Sequence, residues 1–251
     1  MTIVAVLADP PREGLVATEL AESTPLSAAE TAELYEALLR DAVLAVDRSG
    51  GDLLVNYPTD DDLPAAFRTD TSPAAELRAV VADTLGGTED VRFEQQVGST
   101  FDARAGNTVT HLLREEGADS VAVVTPTAPL LSRTTIDSAA MKLRSSGVVL
   151  GPSTRGRTYY AGFTEPIDFE GAFDAPALTT LTNRGRDAGL DVEFVESLPV
   201  LETGSDLLDV VPQLRARFAA ERIVPEHLAA FVYDHGLDVV VEDGDERLVR
   251  E

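Results

Sequence analysis

A regular alternation of strand-like and helix-like segments, about one pair every 25 to 30 residues, constrains this chain more than any other feature. The run TIVAVLAD, residues 2–9, is apolar almost throughout and ends at Pro10-Pro11, as a strand covered on both faces does on entering a loop. Ser27 with Glu30 three residues on forms a capping-box pattern, and Leu34, Leu38, Ala42 and Val46 then recur at helical spacing until Gly50-Gly51. DLLVNYP reads as the next strand, and SPAAELRAVVADTL as a helix with Pro73 in its first turn. VRFEQQ, SVAVVTP, VVLGPS, RTYYAGF and DVEFVESLP continue as strands; DARAGNTVTHLLREEG, TTIDSAAMKLRSSG, PALTTLTNRGRDAG and SDLLDVVPQLRARFAAE continue as helices. Parallel strands need crossover helices, so the pattern predicts a three-layer α/β/α sandwich, Rossmann-like, around a mostly parallel mixed sheet. The C-terminal LDVVVEDGDERLV, with Asp243-Gly244 as its turn, predicts a β-hairpin. With no repeat, low-complexity stretch or linker, residues 1–251 read as one domain, 222–251 being a C-terminal helix and hairpin extension.

Composition removes several function classes. The 44% hydrophobic residues suffice for one sizeable core, and 44 acidic against 20 basic residues give a formal charge of −24. Lys142 is the only lysine, so arginine supplies nearly all the cations. Such a surface repels nucleic acid and anionic membranes, and it is the surface expected in a salt-rich cytoplasm, where screening relieves the self-repulsion. The N-terminus shows neither a basic leader nor a signal core, and no stretch of about 18 apolar residues occurs, which predicts a cytoplasmic protein. Absence of cysteine excludes disulfides, thiolate metal sites and cysteine nucleophiles. No Gly-x-Ser-x-Gly elbow or Gly-Lys phosphate loop occurs. His111, His227 and His235 are too scattered to chelate a metal together, and Asp60-Asp61-Asp62 reads as a solvated run. Arg104, Asn107 and His111 share one helix face.

Six local patterns, in order along about 200 residues, carry a resemblance. ADPPREGLVATEL, with Pro11, Gly14, Thr18 and Leu20, follows the first strand; AETAELYEALLRDAV is the first long helix; QVGSTFDAR leads into a later one. VAVVTPTAPLL keeps Pro129 and Leu131, VVLGPSTRGRTYYAGF keeps Gly151, Pro152, Gly156, Tyr159 and Gly162, and VLETGSDL keeps Thr203, Asp206 and Leu207. Together they resemble small glycosyltransferase-A-like proteins of the nucleotide-diphospho-sugar transferase superfamily, poorly characterised in function and related to molybdenum-cofactor and phospholactate nucleotidyltransferases. The resemblance implies a glycosyltransferase-A fold and a phosphorylated small molecule or nucleotide bound at the carboxyl ends of the strands.

Where that family places cations in its phosphate loop, this chain has Asp9, Ala17 and Glu19; where it places a metal-holding aspartate, this chain has Thr127. An acidic position has become Arg155, followed by Gly156-Arg157, and near the C-terminus Val200 and Glu202 stand where aspartates are expected. Threonine is a poor ligand for a hard cation, so no cofactor is certain and Mg or Mn is disfavoured, with Glu202 and Asp206 the remaining candidate ligands. The residues expected to contact a ligand are Arg12, Gly14, Thr18, Thr127, Gly151, Pro152, Arg155, Gly156, Arg157 and Tyr159, with the arginines gripping an anion directly; no catalytic residue is assigned. One functional reading is thus a nucleotide- or nucleotide-sugar-binding transferase-like protein with a degenerate metal site. The other is a catalytically inactive scaffold or regulatory protein, a homo-oligomer through its hairpin.

Overall fold

The computed structural model describes residues 1–242 and 244–250. Its main sheet has seven strands: β1 (Thr2–Leu7), β2 (Asp52–Tyr57), β3 (Arg92–Gln95), β4 (Ser120–Val124), β5 (Val148–Pro152), β6 (Thr158–Phe163) and β7 (Val192–Phe194), in the order β3-β2-β1-β4-β6-β5-β7. All neighbours are parallel except β6, which runs antiparallel to both β4 and β5. The direct β5-to-β6 connection explains this: a short turn reverses the chain, whereas every parallel pair is joined through a helix.

Among the described residues, eight α-helices accompany the sheet: α1 (Thr18–Ser23), α2 (Ala28–Asp47), α3 (Pro73–Leu85), α4 (Phe101–Arg114), α5 (Arg133–Lys142), α6 (Ala177–Asp187), α7 (Gly204–Ala219) and α8 (Glu226–Asp234). The capping box at Ser27 and Glu30 forms as the sequence predicts, and Pro73 occupies the first turn of α3 behind the Ser72 cap. Alternate strand residues feed two cores. Val4, Val6 and Val55 pack with Leu39, Val43, Leu77, Val81 and Ile136, which places α2, α3 and α5 on one face of the sheet. Ala5, Leu7 and Val121 pack with Val109, Leu112 and Leu181, which places α4 and α6 on the other. The three-layer sandwich and the mixed, mostly parallel sheet expected from the sequence are therefore present.

The C-terminal hairpin, β8 (Leu237–Glu242) and β9 (Asp245–Arg250), is also present; Gly244 has φ 92°, and Asp243, expected in its turn, lies outside the described residues. Leu237 joins Leu228 and Val232 of α8, Leu207, Val210 and Leu214 of α7, and Leu34 and Leu38 of α2 in a third core. Asp41 of α2 fastens this extension: its carboxylate accepts the backbone N–H groups of His227 (3.0 Å) and Leu228 (2.8 Å) at the start of α8, while burial pushes its pKa up against those bonds. Replacing Asp41 by Ala leaves both donors without their acceptor, and a loss of about 2 kcal/mol is expected in denaturant titration.

Candidate functional site

Three chain segments meet at the carboxyl end of β4. β4 exits through Thr125, Pro126 and Thr127, and the Thr127 carbonyl accepts the Leu201 N–H (2.8 Å), holding the segment before α7 against this exit. β5 exits through Gly151 and Pro152 into a 3₁₀ turn, Thr154–Gly156, where Arg155 (φ 58°) and Gly156 (φ 71°) both take left-handed backbone conformations. A β-carbon at Gly156 would come within 2.8 Å of Pro176, so this position lacks both the conformational and the spatial room for a side chain. α7 begins behind its Thr203 cap, with Asp206 at the third helical position closing a capping box.

The side chain of Arg157 locks these segments together. Its Nη1 donates to Glu202 Oε2 (3.2 Å) and Asp206 Oδ2 (2.9 Å), its Nη2 to Asp206 Oδ1 (2.6 Å) and Thr154 Oγ1 (2.8 Å), and its Nε to the Thr154 carbonyl (3.3 Å). Asp206 Oδ2 also accepts from the N–H groups of Glu202 and Thr203 and from the Thr203 hydroxyl. Thr127 Oγ1 reaches the other Glu202 oxygen at 3.4 Å. Burial alone would raise the pKa of Asp206, but the Arg157 bond and the two backbone donors hold it down at about 2. The same pairing pushes Arg157 further up, against its own desolvation.

Thr127, Arg157, Glu202 and Asp206 are thus brought together, and the guanidinium sits between the two carboxylates considered as metal ligands. This donor set does not suit a divalent cation: a permanent positive charge already fills the space, and both Asp206 oxygens are engaged by protein donors. Among the described residues, no three His, Asp or Glu side chains are placed to hold a metal ion.

Other expected ligand contacts are placed differently. Arg12 is 9% exposed and its donors are taken up by the protein: it forks onto Glu76 of α3 (2.9 to 3.2 Å) and donates to the carbonyls of Thr71 (2.8 Å) and Phe67. Its expected role in gripping an anion gives way to stapling the loop after β1 to the loop after β2. Tyr159 is 1% exposed; its ring covers Gly151, where a β-carbon would lie 2.5 Å from Cζ, and its hydroxyl donates to the Glu196 carbonyl (2.7 Å). Neither Tyr159 nor Gly151 therefore offers a surface to a ligand, because both belong to the packing beneath the turn. Pro152 accepts the Leu198 N–H through its carbonyl (3.1 Å), Gly14 (φ 73°) turns the β1 loop beside Phe67, and Thr18 opens α1 exposed. Arg155 is exposed and its Nη2 donates to Ser205 Oγ at 3.0 Å. Of the three arginines expected to meet an anion, it alone has no carboxylate partner among the described residues.

The helix face of Arg104, Asn107 and His111 divides among separate environments. Asn107 donates to the Val97 carbonyl, His111 Nε2 lies 3.3 Å from Glu116, and both line a cavity of about 350 Å³ with Asn56 and Glu94. Arg104 Nε is buried without a hydrogen-bond partner among the described residues, and the Arg104 charge pulls the Asp9 pKa down against the burial that raises it. Glu76 and Ser205, the partners of Arg12 and Arg155, lie 64 and 50 residues away along the chain, and no local spacing signals either contact. Asp62 of the acidic run caps its own turn, accepting from the Thr59 N–H (2.9 Å) and hydroxyl (2.6 Å).

A family described as an uncharacterized protein conserved in bacteria, DUF2064, matches residues 60–175. No curated protein matches the sequence. Among solved structures, a candidate nucleotide-diphospho-sugar transferase from Desulfovibrio desulfuricans G20 aligns with a TM-score of 0.73 at 18% identity, covering 93% of this chain and 94% of that one. The chain has the nucleotide-diphospho-sugar transferase fold. A cytidylyltransferase from Leptospira borgpetersenii serovar Hardjo-bovis, strain JB197, shares the architecture more distantly, with a TM-score of 0.52 at 8% identity over 93% of this chain and 94% of that one. The glycosyltransferase-A-like architecture that the sequence resembles is the one it adopts. No helix is long and apolar enough to cross a membrane among the described residues.

The depressed pKa of Asp206 has a defined consequence for this fold. An unpaired Asp titrates near 3.9, so the contribution of Asp206 to stability is complete above about pH 4 and is lost as pH falls through about 2. At neutral pH that contribution is on the order of 2 kcal/mol. In urea titrations across this window, Asp206→Asn is expected to be less stable at pH 7 and to lose less on acidification than the unmodified protein.

Proposed function

We propose that this protein is transferase-like and binds a phosphorylated small molecule, a nucleotide or nucleotide sugar, at the carboxyl end of its sheet, with a built-in guanidinium where a bridging metal ion would stand. The observation that carries this reading is the position of Arg157 between Glu202 and Asp206, beside Thr127. A fixed cation there neutralises two carboxylates that would otherwise repel an anionic ligand, and it spends no ligand binding energy on recruiting a metal. Arg155, one residue before the glycine of the same turn and without a carboxylate partner among the described residues, supplies the planar donor that meets the anion. The fold supports the substrate class, since the solved structures that share it are named as a candidate nucleotide-diphospho-sugar transferase and a cytidylyltransferase.

Thermal unfolding in concentrated salt with a panel of nucleotides and sugar phosphates tests this reading. At least one phosphorylated compound is expected to raise the midpoint equally with and without magnesium. Arg155→Ala is expected to weaken that binding by about 1.5 to 3 kcal/mol, the scale of a charge-assisted hydrogen bond. Stabilisation by none of the panel, or only in the presence of magnesium, would remove the reading.

A second reading, an interaction protein that self-associates beside the hairpin, is favoured by one feature of the surface. Phe218, Ile223 and Val241 are 57%, 93% and 68% exposed on α7, the following loop and β8. Sedimentation at high salt is expected to show an assembly that Phe218→Asp together with Val241→Asp dissociates; a monomer at all concentrations would exclude it.

A further inference from the structure

Helix α4 leaves one corner of the sheet uncovered. Its buried residues Ala105, Val109 and Leu112 share a core with Leu7 of β1, Val121 of β4 and Leu54 of β2, and among the described residues β3 adds nothing to that core. β3 packs Phe93 into the opposite core and lines the α4 side with Glu94. The space beside α4 is therefore bounded by polar groups, and it forms the cavity of about 350 Å³ described above. A second cavity, of about 770 Å³, lies between α4 and the segment following β6, where Phe169, Glu170 and Asp174 line it. Asn107 and Thr110 line both cavities, so the two join into one groove over the helix.

The hydrogen-bonding capacity that the wall has left decides what fits. Asn56, 1% exposed, and Thr108 form a fixed floor: the Thr108 hydroxyl donates to Asn56 Oδ1 (3.0 Å), and Asn56 Nδ2 donates to the Glu94 carbonyl (3.2 Å). Asn107 Nδ2 donates to the Val97 carbonyl (2.7 Å), which leaves its Oδ1 free to accept. The Glu115 and Asp174 carboxylates, the Gln95 amide and the Thr110 hydroxyl have no side-chain partner among the described residues. Thr100 Oγ1 accepts the Ala103 N–H (3.2 Å) and keeps its own hydrogen to give. The wall thus presents spare donors and spare acceptors together. Phosphate does not suit it, because the carboxylates repel an anion and Arg184, the arginine that lines the groove, is engaged by Asp168 (2.6 Å) and the Glu170 carbonyl (3.2 Å). An ammonium ion has no acceptor for the hydroxyl and amide donors, and an apolar molecule would strip water from all of them. A chain of hydroxyls matches, since each both donates and accepts, while its C–H faces meet Val97 and Phe169.

We propose that this groove binds a neutral carbohydrate chain, one end between β3 and α4, the other beside the segment after β6, with Asn107 and Thr110 between successive sugar units. The carboxylates accept sugar hydroxyls, and the hydroxyl and amide side chains donate to sugar oxygens. The groove is distinct from the rim that holds Arg155 and Arg157, neither of which lines it. β2, which supplies Asn56, and β4, which leads to Thr127, are separated by β1 and so lie about 10 Å apart across the sheet. The carbohydrate reading therefore does not depend on the anion-binding one.

Nuclear magnetic resonance titration of the full chain with maltotriose, cellotriose, mannotriose, glucose, spermidine and pyrophosphate tests this assignment. At least one trisaccharide is expected to shift the Asn107 side-chain amide and the Thr110 N–H saturably, and to bind more tightly than glucose, which fills only part of the groove. That readout uses the unmodified protein and does not depend on any variant folding. Glu115→Gln and Thr110→Val are each expected to weaken the trisaccharide about three- to tenfold, and Arg155→Ala to leave it unchanged. No binding of any trisaccharide, binding no tighter than that of glucose, indifference to both groove substitutions, or a response of these resonances to spermidine alone would each overturn the proposal. Pyrophosphate, expected to be weakened by Arg155→Ala and untouched by either groove substitution, reports separately on the rim, so the two readings stand or fall independently.

Discussion

The guanidinium of Arg157 joins parts of the chain that no secondary structure joins. It reaches from the β5–β6 turn to the start of α7, and through Glu202 to the exit of β4. Around it, the capping box of α7 and the Leu201–Thr127 backbone bond complete a continuous polar network at the carboxyl edge of the sheet. Because the group is half-buried and every bond is charge-assisted, losing one partner strands the others in a poorly hydrated place. The shape of this rim is therefore set by one side chain, and so is its chemistry: the cation that organises two carboxylates is covalently part of the protein.

The arginine-for-lysine bias has a structural counterpart. Arg12 grips Glu76 through three bonds while also holding two carbonyls, Arg92 joins Glu94 and Glu116, and Arg250 forks onto Glu30 at the start of α2. A planar fork satisfies several acceptors at once, which a single ammonium cannot do with the same geometry. Among the described residues, ten of the nineteen arginines lie within ion-pair distance of a carboxylate. Arg155, in the turn after β5 at the sheet's carboxyl edge, is among those with no carboxylate partner.

Much of the fold was legible because it depends on short-range patterning. The strand and helix segments, the Ser27 capping box, the Pro73 helix start and the C-terminal hairpin all form where residue spacing places them. Periodicity could not reveal that β6 runs against its neighbours, since a buried antiparallel strand and a buried parallel one read alike; only the absence of a helix between VVLGPS and RTYYAGF hinted at it. DVEFVESLP yields only three strand residues, because its pairing with β5 ends where the chain leaves to reach the β4 exit.

The site divides along the same line. The sequence by itself determined the sheet, the glycines that its turns require, and which residue types stand where the resembled family has a metal and a phosphate loop, because each of these follows from local conformation or position along the chain. Tertiary structure alone decided that Arg157 spends its charge on Asp206 and Glu202, and that Arg12 is a staple and Tyr159 a core ring. The physical reason is that a long flexible cation carries no directional information in its spacing. Its partner is whichever carboxylate the folded backbone brings within a few ångströms, and in a chain with 44 acidic residues the sequence offers too many to choose from.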